Sequence, residues 1–300
     1  MTPMLVQHHP HPAPAAPAVS RAPGRARDWA EIQERMLVPL YEAVYERLEV
    51  GTGTRLLGLG CGSGLALLMA AARGARVTGV DTDHARVDLA RQRLLPDPAV
   101  TAHPAVSGTR HRDAPRLETT LLYGGPDEAA QATDPGRPAY NLVTALQPIG
   151  CTAGDADALV PTLSAAARLA ERGGTVVLAG WGPPERCATS GVLQVAARLT
   201  ERLRPGDAWR PALRDELEDV AARAGLRPDG SGRVSCPFGY ADTDSAVRGL
   251  LSTGHFDAAV RACDLATVEK EITEALHPHT RPDGTVWMPN VFRYLVARIP

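Results

Sequence analysis

Apolar residues near the start of the chain fall at helical spacing. Trp29, Ile32, Met36, Leu37, Leu40, Val44 and Leu48 predict a helix from about Trp29, broken once at Pro39. The period then changes. After the Gly51-Thr52-Gly53 turn, Arg55-Leu56-Leu57-Gly58-Leu59 reads as a buried strand. A glycine loop follows, then a helix over Leu65–Arg73 ended by Gly74-Ala75, then a second strand over Arg76–Val80. Val87, Ala90 and Leu94 line one face of the next helix, which Pro96 and Pro98 stop. Strand and helix alternating with short joints predict a right-handed parallel α/β sheet.

Further strands are expected within Leu117–Tyr123 and over Tyr140–Leu146, Thr175–Ala179, Arg233–Phe238 and Asn290–Ile299. Helices are expected over Ala156–Glu171 and Leu213–Ala224, the second stopped by Gly225. Between the last two strands, Leu265, Val268, Ile272 and Leu276 mark a helical insertion, assigned to residues 240–285 and expected to act as a lid. Residues 1–27 are rich in Pro and Ala and have no apolar periodicity. They are expected to form a disordered tail, with His8, His9 and His11 solvated and no metal bound. Residues 28–300 then form one domain.

Composition narrows the function. A formal net charge of −2 offers no global field for nucleic acid or an anionic membrane surface. No apolar run reaches the roughly 18 residues of a spanning helix, and Pro and His interrupt any signal-like segment at the start. Cys61, Cys151, Cys187, Cys236 and Cys263 are scattered, without a CxxC pair. A disulfide framework or zinc site is therefore not expected, and the cytoplasm is the default setting.

Gly60-Cys61-Gly62-Ser63-Gly64 is the most informative stretch. Its glycines allow a sharp strand-to-helix turn and close approach of a ligand to the backbone. The helix N-terminus behind it favours an anionic group. Asp81 stands one helix and one strand later, at the end of the second strand, where a carboxylate can accept ribose hydroxyls. Asp81 or Asp83 can equally cap the following helix. On the ligand reading, Asp81→Ala is expected to reduce affinity and leave stability unchanged.

The third glycine lies two positions past the second, unlike the dinucleotide fingerprint GxGxxG. With Cys61 inside it, Leu56–Gly64 resembles the first motif of class I S-adenosylmethionine-dependent methyltransferases, especially their small-molecule branch. Val77–Asp81 resembles their second motif, Tyr140–Ala145 their fourth-strand motif, and Arg172–Val177 the turn into their fifth strand. Phe292–Ala297 is similar to their antiparallel closing strand. The resemblance implies a Rossmann-like seven-stranded sheet in the order 3-2-1-4-5-7-6, last strand antiparallel, with a helical lid. It implies S-adenosylmethionine as cofactor, held by Gly60, Cys61, Gly62, Ser63, Gly64, Asp81, Thr82 and Ala145. Departures occur at Gly58 and Asn141, where family members usually or often have an acid. A Gly-Asp-x-x-x-Leu-Pro-like stretch is also missing from Gly124–Ala139. If Gly58 merely lacks a useful acid, Gly58→Asp is expected to tighten cofactor binding.

On this resemblance the acceptor is a small molecule entering over strands 4 and 5, beside Trp29, Gln33, Tyr41, Gln147, Trp181 and Tyr240, with a homodimer left open. Trp29 and Tyr41 also fit a core role, and Glu185 and Asp242 are either substrate-orienting or solvated acids. His255, opening the lid, is the candidate base, since a histidine titrates near neutrality. Cys61 is a small loop residue with nothing to attack. Two readings of function stand: a methyltransferase, or a methyltransferase-fold module that binds a ligand or protein without methyl transfer. A nicotinamide-dependent oxidoreductase is disfavoured by the glycine spacing.

Overall fold

A computed structural model describes residues 22–95, 118–133, 139–152, 154–200 and 210–300. The histidines of the first segment lie outside these residues. Alternating apolar stretches pair into one seven-stranded sheet built from β1 (Arg55–Leu59), β2 (Arg76–Asp81), β3 (Thr119–Tyr123), β4 (Tyr140–Ile149), β5 (Ala170–Trp181), β6 (Arg227–Ser235) and β9 (Val291–Arg298). The order is β3-β2-β1-β4-β5-β9-β6, with β9 antiparallel to both neighbours. This matches the expected order, β9 being the last strand of the sheet.

Successive strand residues face opposite sides. Leu56 and Val177 join a core with Leu40, Val44 and Leu67; Leu57, Val176 and Leu178 join another with Leu163 and Val220. The first face carries α2 (Val38–Arg47), α3 (Leu65–Ala72) and α4 (His84–Leu94). The second carries α5 (Pro126–Gln131), α6 (Asp155–Ala167) and α8 (Glu216–Arg223).

Order begins before the expected boundary. Ala22–Asp28 is a helix, α1, with Ala26 buried, and irregular helical turns continue to Leu37. Pro39 falls in the first turn of α2, where its missing N–H has no intrahelical partner to lose, so it starts a helix instead of breaking one. The sixth strand also differs from expectation. It ends at Ser235, and Phe238 belongs to β7 (Phe238–Tyr240), which pairs with β8 (Val286–Met288) in a separate ribbon. The helical insertion comprises α9 (Thr243–Ser252), α10 (Asp257–Ala262) and α11 (Leu265–Leu276), packed on a helix not expected from the sequence, α7 (Thr189–Thr200). Asp242 is the N-cap of α9, accepting from the Ser245 N–H at 2.6 Å, which assigns it to the helix end. No helix among the described residues is long and apolar enough to cross a membrane.

Candidate functional site

The glycine loop leaves β1 at the sheet's carboxyl edge. Gly60, Gly62 and Gly64 have φ of 59°, 58° and 81°, the left-handed region open to glycine. At Gly62 space matters too: a Cβ would stand 3.0 Å from both Glu34 Oε1 and Trp29 Nε1. Asp81, 6% exposed, fixes the loop. Its Oδ2 accepts from the Gly62 N–H at 2.8 Å and its Oδ1 from the Asp83 N–H at 2.9 Å. Asp83 is the cap of α4, accepting from the N–H groups of Ala85 and Arg86. The helix cap is therefore Asp83, while Asp81 ties the glycine loop to the end of β2.

Two side chains of the N-terminal segment lie over this loop. Glu34 is 2% exposed, and its carboxylate accepts from the Ser63 hydroxyl and, at 2.9 Å, from Arg93 Nη1. The Leu65 N–H, in the first turn of α3, points to Glu34 Oε1 at 3.4 Å. Arg93 also donates to the Ser63 carbonyl at 2.9 Å, so helix α4, the loop and the N-terminal segment form one ionic knot. Trp29 is buried beside it, its indole N–H without a hydrogen-bond partner, and the Arg86 guanidinium lies 4.4 Å from its ring centroid. Arg86 reaches on to the Ser252 carbonyl of α9 at 3.0 Å, and Tyr240 donates to Gln33 at 2.9 Å. Gln147 donates to the Gly60 carbonyl at 3.2 Å. The cavity left between Trp29, Glu34, Tyr41, Cys61, Thr144 and Gln147 is about 20 Å³, room for one water. Burial, with Asp81 and Glu34 adding to it, pushes the Cys61 thiol up to about 12, so it stays protonated.

The remaining expected residues separate. Thr82 is exposed at the end of β2. Ala145 faces the other core, and Thr144 and Leu146 line the cavity in its place. Trp181 packs edge-on against Phe292, ring centroids 4.7 Å apart, and lines a different cleft. Gly58 is no vacancy: an ideal Cβ there would lie 2.9 Å from Leu67 Cδ2. Gly58 pairs in register with Gly79, whose missing side chain Leu67 also overlies, so Leu67 fills the space of two absent side chains. Asn141 lies at the opposite edge of the sheet. Its Oδ1 accepts from the Arg55 N–H at 2.8 Å and its Nδ2 donates to the Gly53 carbonyl at 3.0 Å, tying β4 to the start of β1. Within Gly124–Ala139, Pro126–Gln131 forms α5, opened by Glu128 accepting from the Gly125 N–H at 2.7 Å.

His255 meets the segment after β4. Its Nδ1 is 3.1 Å from Thr152 Oγ1 and its Nε2 is 3.7 Å from Cys151 Sγ. Asp155 Oδ2 organises that turn by accepting from the N–H groups of Gly150, Cys151 and Thr152. Burial holds His255 below the ordinary histidine range, against the pull of Asp155 and Asp257. Burial likewise pushes the Cys151 thiol up to about 12. The pair is a neutral imidazole beside a neutral thiol, not a thiolate nucleophile. Below the unfolded value of 6.5 the unfolded chain takes up a proton that folded His255 resists. Its contribution to stability is therefore complete above that pH and falls with acidification below it. Urea denaturation across this range should show the slope in wild type and lose it in His255→Gln.

Residues 57–111 match the family described as a methyltransferase domain, a span that opens within β1 and takes in the glycine loop and Asp81. The fold is that of the class I methyltransferases. Among solved structures, a candidate methyltransferase from Bacillus halodurans C-125 is 13% identical, with 87% of this chain and 98% of that one covered at a TM-score of 0.50. The YcgJ protein of Bacillus subtilis is 14% identical, with 86% and 97% covered at 0.50. These likenesses establish the architecture. No curated protein sequence matches the chain. Gly60–Gly64 and Asp81, singled out in the sequence, are brought together by the fold within the matched segment. Sequence reasoning missed Glu34, Arg93 and Leu67, which carry no motif and act only through tertiary contact.

Proposed function

We propose that this chain binds S-adenosylmethionine over the glycine loop and transfers its methyl group to a small-molecule acceptor. The observation that carries the reading is Asp81 bonded to Gly62 at the shared carboxyl edge of β1 and β2, in the segment that matches a methyltransferase domain. The chemistry of the residues fits the cofactor. The loop turns its backbone toward the ligand side, the N-terminus of α3 favours a carboxylate, and the unpartnered Trp29 N–H lies beside Gly62. The volume fits only after a change. Small-molecule sites hold roughly 300–1,000 Å³, whereas Trp29 and Glu34 leave about 20 Å³. Binding therefore goes with displacement of the Trp29–Leu37 segment from the loop.

When bound, the cofactor supplies an already activated methyl group, so the protein's task is alignment. Asp81, Gly60 and Gly62 would hold the cofactor, with Gln147 keeping the loop carbonyl in place. The acceptor would enter beneath α9–α11, where His255, kept neutral by burial, can take a proton from an oxygen or nitrogen nucleophile. The five cysteines are all free, which supports a reducing, cytoplasmic setting. The Glu34–Arg93–Ser63 knot favours a second reading, a methyltransferase fold whose ligand site is closed for good and which serves as a binding module. A thermal-shift comparison separates them. S-adenosylhomocysteine should raise the melting temperature and NAD should not; indifference to both supports the module.

A further inference from the structure

A second cleft opens at the carboxyl edge of β5, lined by Trp181, Arg186, Arg214, Arg233 and Arg293 and enclosing about 470 Å³. It is far larger than the cavity at the glycine loop. Arg233 and Arg293 are direct cross-strand partners in the antiparallel β6–β9 pair, which places both side chains on one face of the sheet. Like charges in that position repel. Glu218 neutralises Arg293 through both of its oxygens, and Arg293 also donates to the Arg214 carbonyl, which brings the Arg214 backbone to the same spot. Among the described residues, Arg186, Arg214 and Arg233 have no ion-pair partner, and Glu185 is the one acid in the lining.

We propose that this cleft is an oxyanion site, taking a small molecule through a phosphate or carboxylate group bound by Arg233 and its neighbouring arginines. Glu218 already serves Arg293, which leaves the three unpaired guanidinium groups for the anion, and such groups suit the bidentate geometry of both oxyanions. The cleft shares no lining residue with the cavity at the glycine loop, so anion binding here is read apart from the cofactor.

Calorimetric titrations with inorganic phosphate and, separately, succinate at about 0.15 M ionic strength test it. One of the two anions binds at a single saturable site, and which one does identifies the group recognised. Arg233→Gln weakens that binding at least about tenfold. Arg172→Gln, exposed at the far end of β5, binds as wild type does. Saturable binding by neither anion, equal binding by Arg233→Gln and wild type, or equal weakening by Arg172→Gln would each overturn the site.

Discussion

Asp81→Ala is expected to lower both stability and cofactor affinity. The carboxylate is buried and is the acceptor for the backbone N–H groups of Gly62 and Asp83. Leaving two such donors unpaired costs about 1–3 kcal/mol each, so the unliganded variant should melt on the order of 5–15 °C lower. From the sequence alone, Asp81 serves the ligand and stability is untouched; the structure changes that expectation because the acid first holds its own loop. Binding of S-adenosylhomocysteine should fall by at least about tenfold. Melting curves and titration of the same sample check both. A variant with wild-type stability would show that the Asp81–Gly62 bond is not made in solution.

Gly58→Asp should destabilise the protein without tightening binding. Leu67 occupies the place that an added side chain would take. Overpacking there costs about 1–3 kcal/mol, and a carboxylate buried without a partner adds to it, for a total of at least about 3 kcal/mol. The double variant Gly58→Asp/Leu67→Ala should lose less than the sum of the single losses, with a favourable coupling of about 0.5–3 kcal/mol. Guanidinium denaturation of the three variants measures it. Additive losses would mean that Leu67 and residue 58 do not compete for space.

The parts of the fold that were legible are those governed by local rules. β1, β2 and β4 are apolar runs bounded by turns, and the glycine loop declares itself because glycine alone fits its backbone. β6 was misplaced for a physical reason. It is an edge strand containing Pro228, Gly230 and Gly232, with little apolar alternation, and its partner β9 is distant in sequence. The β7–β8 ribbon joins two three-residue strands from opposite sides of the helical insertion, and no local pattern encodes that pairing. α7 did carry a signal, in Val192, Leu193, Val195 and Ala196, but the Gly-Pro-Pro turn before it reads as loop. Glu34 is the plainest case. A glutamate in an amphipathic helix reads as solvated, and only the tertiary fold turns it onto Ser63 and Arg93.

If the glycine loop holds the cofactor, Trp29 and its segment must first move off it. Calorimetric titration of S-adenosylhomocysteine into wild type and Trp29→Ala, each first shown to be folded, tests this most directly. One-to-one binding to wild type and tighter binding to Trp29→Ala are expected, because the side chain that must leave is gone. No heat of binding from either protein would contradict a cofactor site at the loop.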